Sequence, residues 1–145
     1  MKVVLQRVKD ASVILDGKEV AQINYGLLCL LGIHKEDNEL KCGELAKKIS
    51  NLRIFEDEQG KMNLSLMQTK GEILVVSQFT LYGDASSGNR PSFTEAMDWK
   101  SAQGLYERFV QELRYLGCKT QTGVFGAKMD IKLTNNGPVT IVLEA

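Results

Sequence analysis

Glu72-Ile73-Leu74-Val75-Val76-Ser77-Gln78-Phe79-Thr80 is the stretch on which the reading of this chain turns. Ile73 to Val76 is an unbroken apolar run rich in β-branched residues, which suits a central strand. The run delivers four polar or aromatic residues, Ser77 to Thr80, at its carboxyl end. They can be a strand that turns polar as it leaves the sheet. They can also be a site, because a rigid sheet holds main-chain N–H groups and hydroxyls in fixed positions at strand ends. A main-chain N–H pair there suits an oxyanion. Thr80 is a candidate nucleophile or hydrogen-bond donor, although no base is visible beside it.

Working outward, Leu27-Leu28-Cys29-Leu30-Leu31 reads as a second strand buried on both faces. Before it, Val3 to Val8 and Ala11 to Leu15 suggest two strands. Asp16-Gly17 is a hairpin turn that returns Glu19 to Ile23 antiparallel. Asp37 or Asn38 can cap a helix starting near Glu39, with Leu40, Leu45, Ile49 and Leu52 as its apolar stripe. Asp98 opens a second helix in which Trp99, Ala102, Leu105, Tyr106, Phe109, Leu113 and Leu116 recur at helical spacing, and Gly117 ends it. The remainder is β-like: Ile54-Phe55, Lys119 to Thr122, Met129 to Leu133 and Val139 to Leu143. No repeat or linker interrupts residues 1–145, so a single α/β domain is expected. Its sheet is large, mixed and mostly antiparallel, and two main helices cover it.

A chain of 145 residues suits one hydrophobic core. Eighteen basic residues balance eighteen acidic ones, so a long, charge-driven grip on nucleic acid is excluded and only a local contact is left. Lys47, Lys48 and Arg53 form a short basic cluster that can touch RNA or simply face solvent. The apolar run Leu27 to Ile33 is far shorter than the ~20 residues of a membrane span. The start of the chain runs straight into strand-like sequence, so a cytoplasmic protein without a signal peptide is expected. Cys29, Cys42 and Cys118 are widely spaced and odd in number, which suits free thiols. His34 is the only histidine and reads as a surface loop residue. A histidine triad, a two-histidine metal site, a GxGxxG or GxxxxGK phosphate loop and a GxSxG elbow are all missing. Neither metal nor cofactor is expected.

Asn135-Asn136-Gly137-Pro138 is the other segment of interest. Its composition favours a plain hairpin turn. The dipeptide alone does not imply a cis bond, since only about 5–6% of X–Pro bonds in folded proteins are cis.

Five segments, taken in order, resemble the bacterial D-aminoacyl-tRNA deacylases: Met1 to Val8, Ser77 to Gly83, Arg90 to Phe93, Thr122 to Ala127 and Asn136 to Thr140. The resemblance runs along essentially the whole chain. It implies a barrel-like α/β domain that hydrolyses the ester of a D-amino acid on the terminal adenosine of tRNA, accepts glycyl-tRNA as well, and rejects the L form. By the same resemblance Ser77, Gln78, Phe79 and Thr80 line the pocket around the ester. Gly137-Pro138 is expected to be a cis dipeptide that enters the pocket of the partner subunit in a homodimer. There its carbonyls meet the substrate amino group and exclude an L side chain. Arg7 is expected to hold the dipeptide, and Phe125 and Met129 to wall the pocket. Catalysis is expected to use the ribose 2′-hydroxyl together with main-chain donors. Ser86-Ser87 stands where many relatives carry a basic residue, which weakens the case for a phosphate contact from that loop. The competing readings are a non-catalytic nucleic-acid-binding module on the same fold and an esterase for small metabolites.

Overall fold

The computed structural model describes residues 1–145. In chain order the strands are β1 (Lys2–Leu15), β2 (Lys18–Ile23) and β3 (Gly26–Gly32), followed by helix α1 (Glu39–Asn51). A two-stranded ribbon of β4 (Phe55–Glu56) and β5 (Met62–Leu64) comes next, then the short helix α2 (Leu66–Thr69). Strand β6 (Glu72–Ser77) runs into a single 3-10 turn, Phe79–Tyr82. Helix α3 (Trp99–Tyr115), β7 (Lys119–Thr122) and β8 (Asp130–Glu144) complete the chain. No helix is long and apolar enough to cross a membrane.

The main sheet is mixed. β1 pairs antiparallel with β2, β3 and β8, whereas β6 lies parallel between β3 and β7. Successive side chains of a strand face opposite ways, and the central strands therefore supply two cores. Leu27, Cys29, Leu31, Ile73 and Val75 belong to a cluster of 23 buried residues on the helical side. Leu28, Leu74 and Val76 belong to a cluster of eight on the other side, with Val8, Ala11, Val13, Ala21 and Ile23. β1 crosses between the cores: Val3 and Leu5 belong to the first, Val8 onward to the second. Helices thus cover one face and the sheet's own outer strands curl over the other, giving the barrel-like shape.

The local chemistry explains the elements. Asp16 and Gly17 have φ of 50° and 76°, the left-handed pair that a two-residue hairpin demands. The Asn38 side chain accepts from the Lys41 N–H to cap α1, and Asp98 does the same for the Ser101 N–H at α3. In α3, Ala102, Tyr106, Phe109, Val110 and Leu113 are buried. The two outer members of the anticipated stripes are not: Leu40 is 78% exposed and Trp99 66%. Each sits in the first turn of its helix.

Three expectations need correction. Val3 to Val8 and Ala11 to Leu15 are one continuous strand, because exposed Lys9 and Asp10 mark its bend between the cores rather than a break. Met129 to Leu133 and Val139 to Leu143 likewise belong mostly to one strand, β8, beginning at Asp130, and no hairpin turn separates them. Along β1, Gln6 faces Thr140 and Val8 faces Asn135. Residues 136–139 therefore bulge out of the ladder opposite Arg7 while the strand keeps its direction. The short strand also sits one residue later than Ile54-Phe55, since Phe55 and Glu56 are the residues that pair.

Candidate active site

A cavity of about 550 Å³ opens where β6 ends. Its walls come from four places: the end of β3 and just past it (Leu31 and Ile33), the exit of β6 (Val76 to Phe79), the segment from Phe93 into the start of α3 at Ala102, and Phe125 to Ile131 ahead of and within β8. Of its sixteen lining residues thirteen are hydrophobic, and none carries an ionisable side chain. Any chemistry here must use main-chain groups, a hydroxyl, an amide, or the substrate's own atoms.

Ser77, Gln78, Phe79, Phe125 and Met129 all line this cavity. The structure also brings supporting contacts to them. The Gln78 N–H donates to the Leu31 carbonyl at 2.8 Å, which fixes the point where the chain leaves the sheet. Phe79 and Thr80 open the 3-10 turn, so their N–H groups have no intrahelical acceptor, and no side chain caps them. They are free main-chain donors beside the cavity. Thr80 itself is not a lining residue. Its hydroxyl oxygen accepts from the Gln78 side-chain amide at 2.5 Å, with no base beside it.

The walls are held from behind. Met129 Sδ accepts from the Val124 N–H at 3.2 Å, and the Phe125 ring packs on Tyr106 at 5.2 Å between centroids. The Tyr106 hydroxyl donates to the Val75 carbonyl at 2.9 Å, and burial pushes its pKa upward. The opposite wall is sewn to the end of β3, since Lys35 N–H donates to the Glu95 carbonyl and Met97 N–H to that of Ile33, at 3.1 and 2.9 Å. The Glu95 carboxylate takes the Lys35 ammonium at 2.9 Å and the His34 ring at 3.0 Å. Those hydrogen bonds, Lys35 first, hold it below the ordinary carboxylate range. His34 therefore belongs to the clasp behind the site rather than to a free loop.

Arg7, Gly137 and Pro138 do not reach this chain's own cavity. Met129 and Gly137 are eight positions apart along nearly one strand, and at ~3.3 Å per residue that is roughly 20–25 Å after allowing for the bulge. Arg7, 2% exposed, lies under the bulge as a three-way anchor. Its Nε donates to the Asn136 carbonyl at 3.1 Å, Nη1 to the Ile54 carbonyl at 2.9 Å and Nη2 to Glu56 Oε1 at 3.1 Å. Gly137 has φ of 123°, and a Cβ there would stand 2.8 Å from Arg7 Nη2 and 2.8 Å from Val139 Cγ2. Only glycine suits that backbone and that spacing. The Gly137–Pro138 bond is cis, and both residues are exposed at the surface.

Sequence reasoning missed Phe93, Ala96, Met97 and Trp99 as lining residues. Phe93 left one trace, an aromatic residue after a long polar loop. Trp99 left none, because it fits the helical stripe as well as Ala102 does. Of the basic cluster, Lys47 and Lys48 are exposed on α1, and Arg53 is held by the Asn63 side chain and carbonyl.

A family model described as D-Tyr-tRNA(Tyr) deacylase matches residues 4–144. A D-aminoacyl-tRNA deacylase from Desulfatibacillum aliphaticivorans is 57% identical over 145 residues, covering all of this chain and 99% of its own length. One from Thermotoga petrophila is 55% identical, again over the whole chain and 97% of its own. Among solved structures, a c-Myc DNA unwinding element binding protein superimposes with a TM-score of 0.95 at 44% identity, covering 100% of this chain and 99% of that one. A probable eukaryotic D-amino acid tRNA deacylase has a TM-score of 0.86 at 16% identity over 98% and 97% of the two chains, a likeness of fold.

Proposed function

Because the chain belongs to the D-aminoacyl-tRNA deacylase family and is thus an ester hydrolase, we propose that its cavity holds the aminoacyl-adenosine end of tRNA and that the RNA supplies part of the chemistry. The observation that carries this is the lining itself, which offers no ionisable side chain. Without a general base from the protein, the vicinal ribose 2′-hydroxyl is the nearest group able to help water attack the ester carbonyl. The free N–H groups of Phe79 and Thr80 then stabilise the oxyanion as it forms. Ser77 and Gln78 shape the strand exit that aims them, while Phe125 and Met129 confine the substrate and keep bulk water out.

The filter comes from a second copy of the chain. Gly137 and Pro138 are exposed, lie too far from their own cavity and are fixed from beneath by Arg7. In a two-fold dimer each subunit presents the same patch to the other, and the dipeptide of one enters the cavity of its partner. Main-chain carbonyls there accept from the substrate amino group and occupy the space an L side chain needs, so selection works by exclusion. Glycine has no side chain to exclude, and glycyl-tRNA is therefore a second substrate. The enzyme works in the cytoplasm, where aminoacyl-tRNA is found.

The test compares D-tyrosyl-tRNA with the same molecule ending in 2′-deoxyadenosine, the amino acid being on the 3′-oxygen in both. General acid–base help of this kind contributes about 10²–10⁴-fold, so the deoxy substrate should slow by that much at unchanged binding. Equal rates would refute the RNA-assisted step. Release from glycyl-tRNA but not from L-tyrosyl-tRNA is expected in the same assay.

A further inference from the structure

Trp99 lines the cavity yet is 66% exposed, so it stands at the rim with much of its indole bare. It adds nothing to the buried face of α3, which begins at Ala102. The Lys100 ammonium lies 5.7 Å from the indole centroid, within reach of a cation–π contact. Lys128 is exposed between Ala127 and Met129, which line the same cavity. Neither lysine is paired with a carboxylate. In a chain whose net charge is zero, two unpaired cations beside a bare indole form a local surface suited to an anionic polymer with flat rings.

Single-stranded nucleic acid is held by this combination: aromatic faces on which bases stack, and cations that follow the phosphates. We propose that Trp99, Lys100 and Lys128 form a platform for the unpaired nucleotides that precede the terminal adenosine of the tRNA. The inference rests on the reading of the cavity as the adenosine site, because a strand whose last nucleotide is inside must leave over this rim. One preceding base stacks on the indole, and the two ammonium groups meet the phosphates on either side. The platform extends recognition beyond the ester without reading sequence, since every base has a π face.

Trp99 is the only tryptophan, so its fluorescence reports the contact directly. The unmodified protein is titrated with a short single-stranded RNA ending in cytidine-cytidine-adenosine, and separately with a blunt duplex of the same length. Saturable quenching by the single strand and not by the duplex is expected. Stacking is worth ~1–3 kcal/mol per base, so Trp99→Ala should raise KM for D-tyrosyl-tRNA about five-fold or more, with the loss falling on KM rather than kcat. Trp99→Leu keeps an apolar side chain without a π face and should match the alanine variant, and Trp99→Phe should recover part of the loss. Lys100→Gln should flatten the salt dependence of binding by about 0.7 in slope.

Unchanged emission at RNA concentrations that inhibit deacylation would overturn the platform while leaving the deacylase reading intact. So would a leucine variant that behaves as wild type. Quenching without any release of D-tyrosine would instead remove the deacylase reading and leave an RNA-binding rim.

Discussion

Arg7→Lys tests whether the anchor beneath the dipeptide sets stereochemistry. The guanidinium is 2% exposed and donates to three acceptors on three segments. A lysine ammonium is a point donor on a different stem and cannot reach all three. The bond to the Ile54 carbonyl is buried, and a charged donor to such a group is worth about 1.5–3 kcal/mol. The bond to Glu56 counts for little, because that carboxylate is 55% exposed. A stability loss of about 2–3 kcal/mol is therefore expected. At roughly 3–4 °C per kcal/mol for a chain of this size, Tm should fall by about 6–12 °C. The functional loss is separate. Releasing the Asn136 carbonyl frees the residue just before Gly137, and one net hydrogen bond of about 1–1.4 kcal/mol corresponds to a five- to ten-fold change. The ratio of D- to L-tyrosyl-tRNA hydrolysis should drop by that factor at a temperature where the variant is folded. A variant that loses stability but keeps the full ratio would refute the link between Arg7 and chirality.

Two further outcomes are expected. Thr80→Val should keep turnover within about ten-fold, because the hydroxyl accepts from Gln78 and has no base to activate it; a collapse on the order of a million-fold, as for a lost nucleophile, would restore the covalent account. For Asp37, burial raises the carboxyl, but the hydrogen bonds from the terminal amine of Met1, from Lys41 and from the His34 N–H outweigh it, and its pKa is lowered overall. A depressed folded value gives stability that is present above the unfolded carboxyl at about 3.9 and is lost as pH falls through the folded value. Asp37→Asn should thus unfold earlier than wild type at pH 7, and the gap should narrow as pH falls below the unfolded carboxyl value; a gap that stays constant with pH would contradict the assignment.

Periodicity reached the elements that obey one rule along their length. Leu27 to Leu31 and Ile73 to Val76 are buried on both faces because both cores claim them, and an unbroken apolar run records this. The hairpin at Asp16-Gly17 and the caps at Asn38 and Asp98 are local chemistry and equally legible. What local rules could not supply was the fate of Asn135 to Pro138. An Asn-Gly pair followed by proline encodes a change of backbone direction, and only the partner strand decides whether that becomes a turn or a bulge. Here β1 supplies Arg7 beneath the segment, and the register on both sides of it belongs to one strand. The site divides in the same way. Its main-chain donors come from residues recognised by resemblance to relatives, whereas Phe93 and Trp99 became wall residues through tertiary placement that no spacing records.

β8 carries part of the cavity wall at Ile131 and the exposed dipeptide at Gly137-Pro138, so in the proposed dimer one rigid strand holds half of two different sites. That arrangement makes the enzyme a candidate for intersubunit complementation. Take one variant defective in the cavity and another whose dipeptide is displaced by a side chain at residue 137. Neither parent hydrolyses selectively. Random reassociation of equal amounts puts about half of the dimers in mixed form, each with one site built from the two sound halves and one holding both defects. About a quarter of all sites then regain selective turnover, a yield fixed by the symmetry of the pair and not by the chemistry within it.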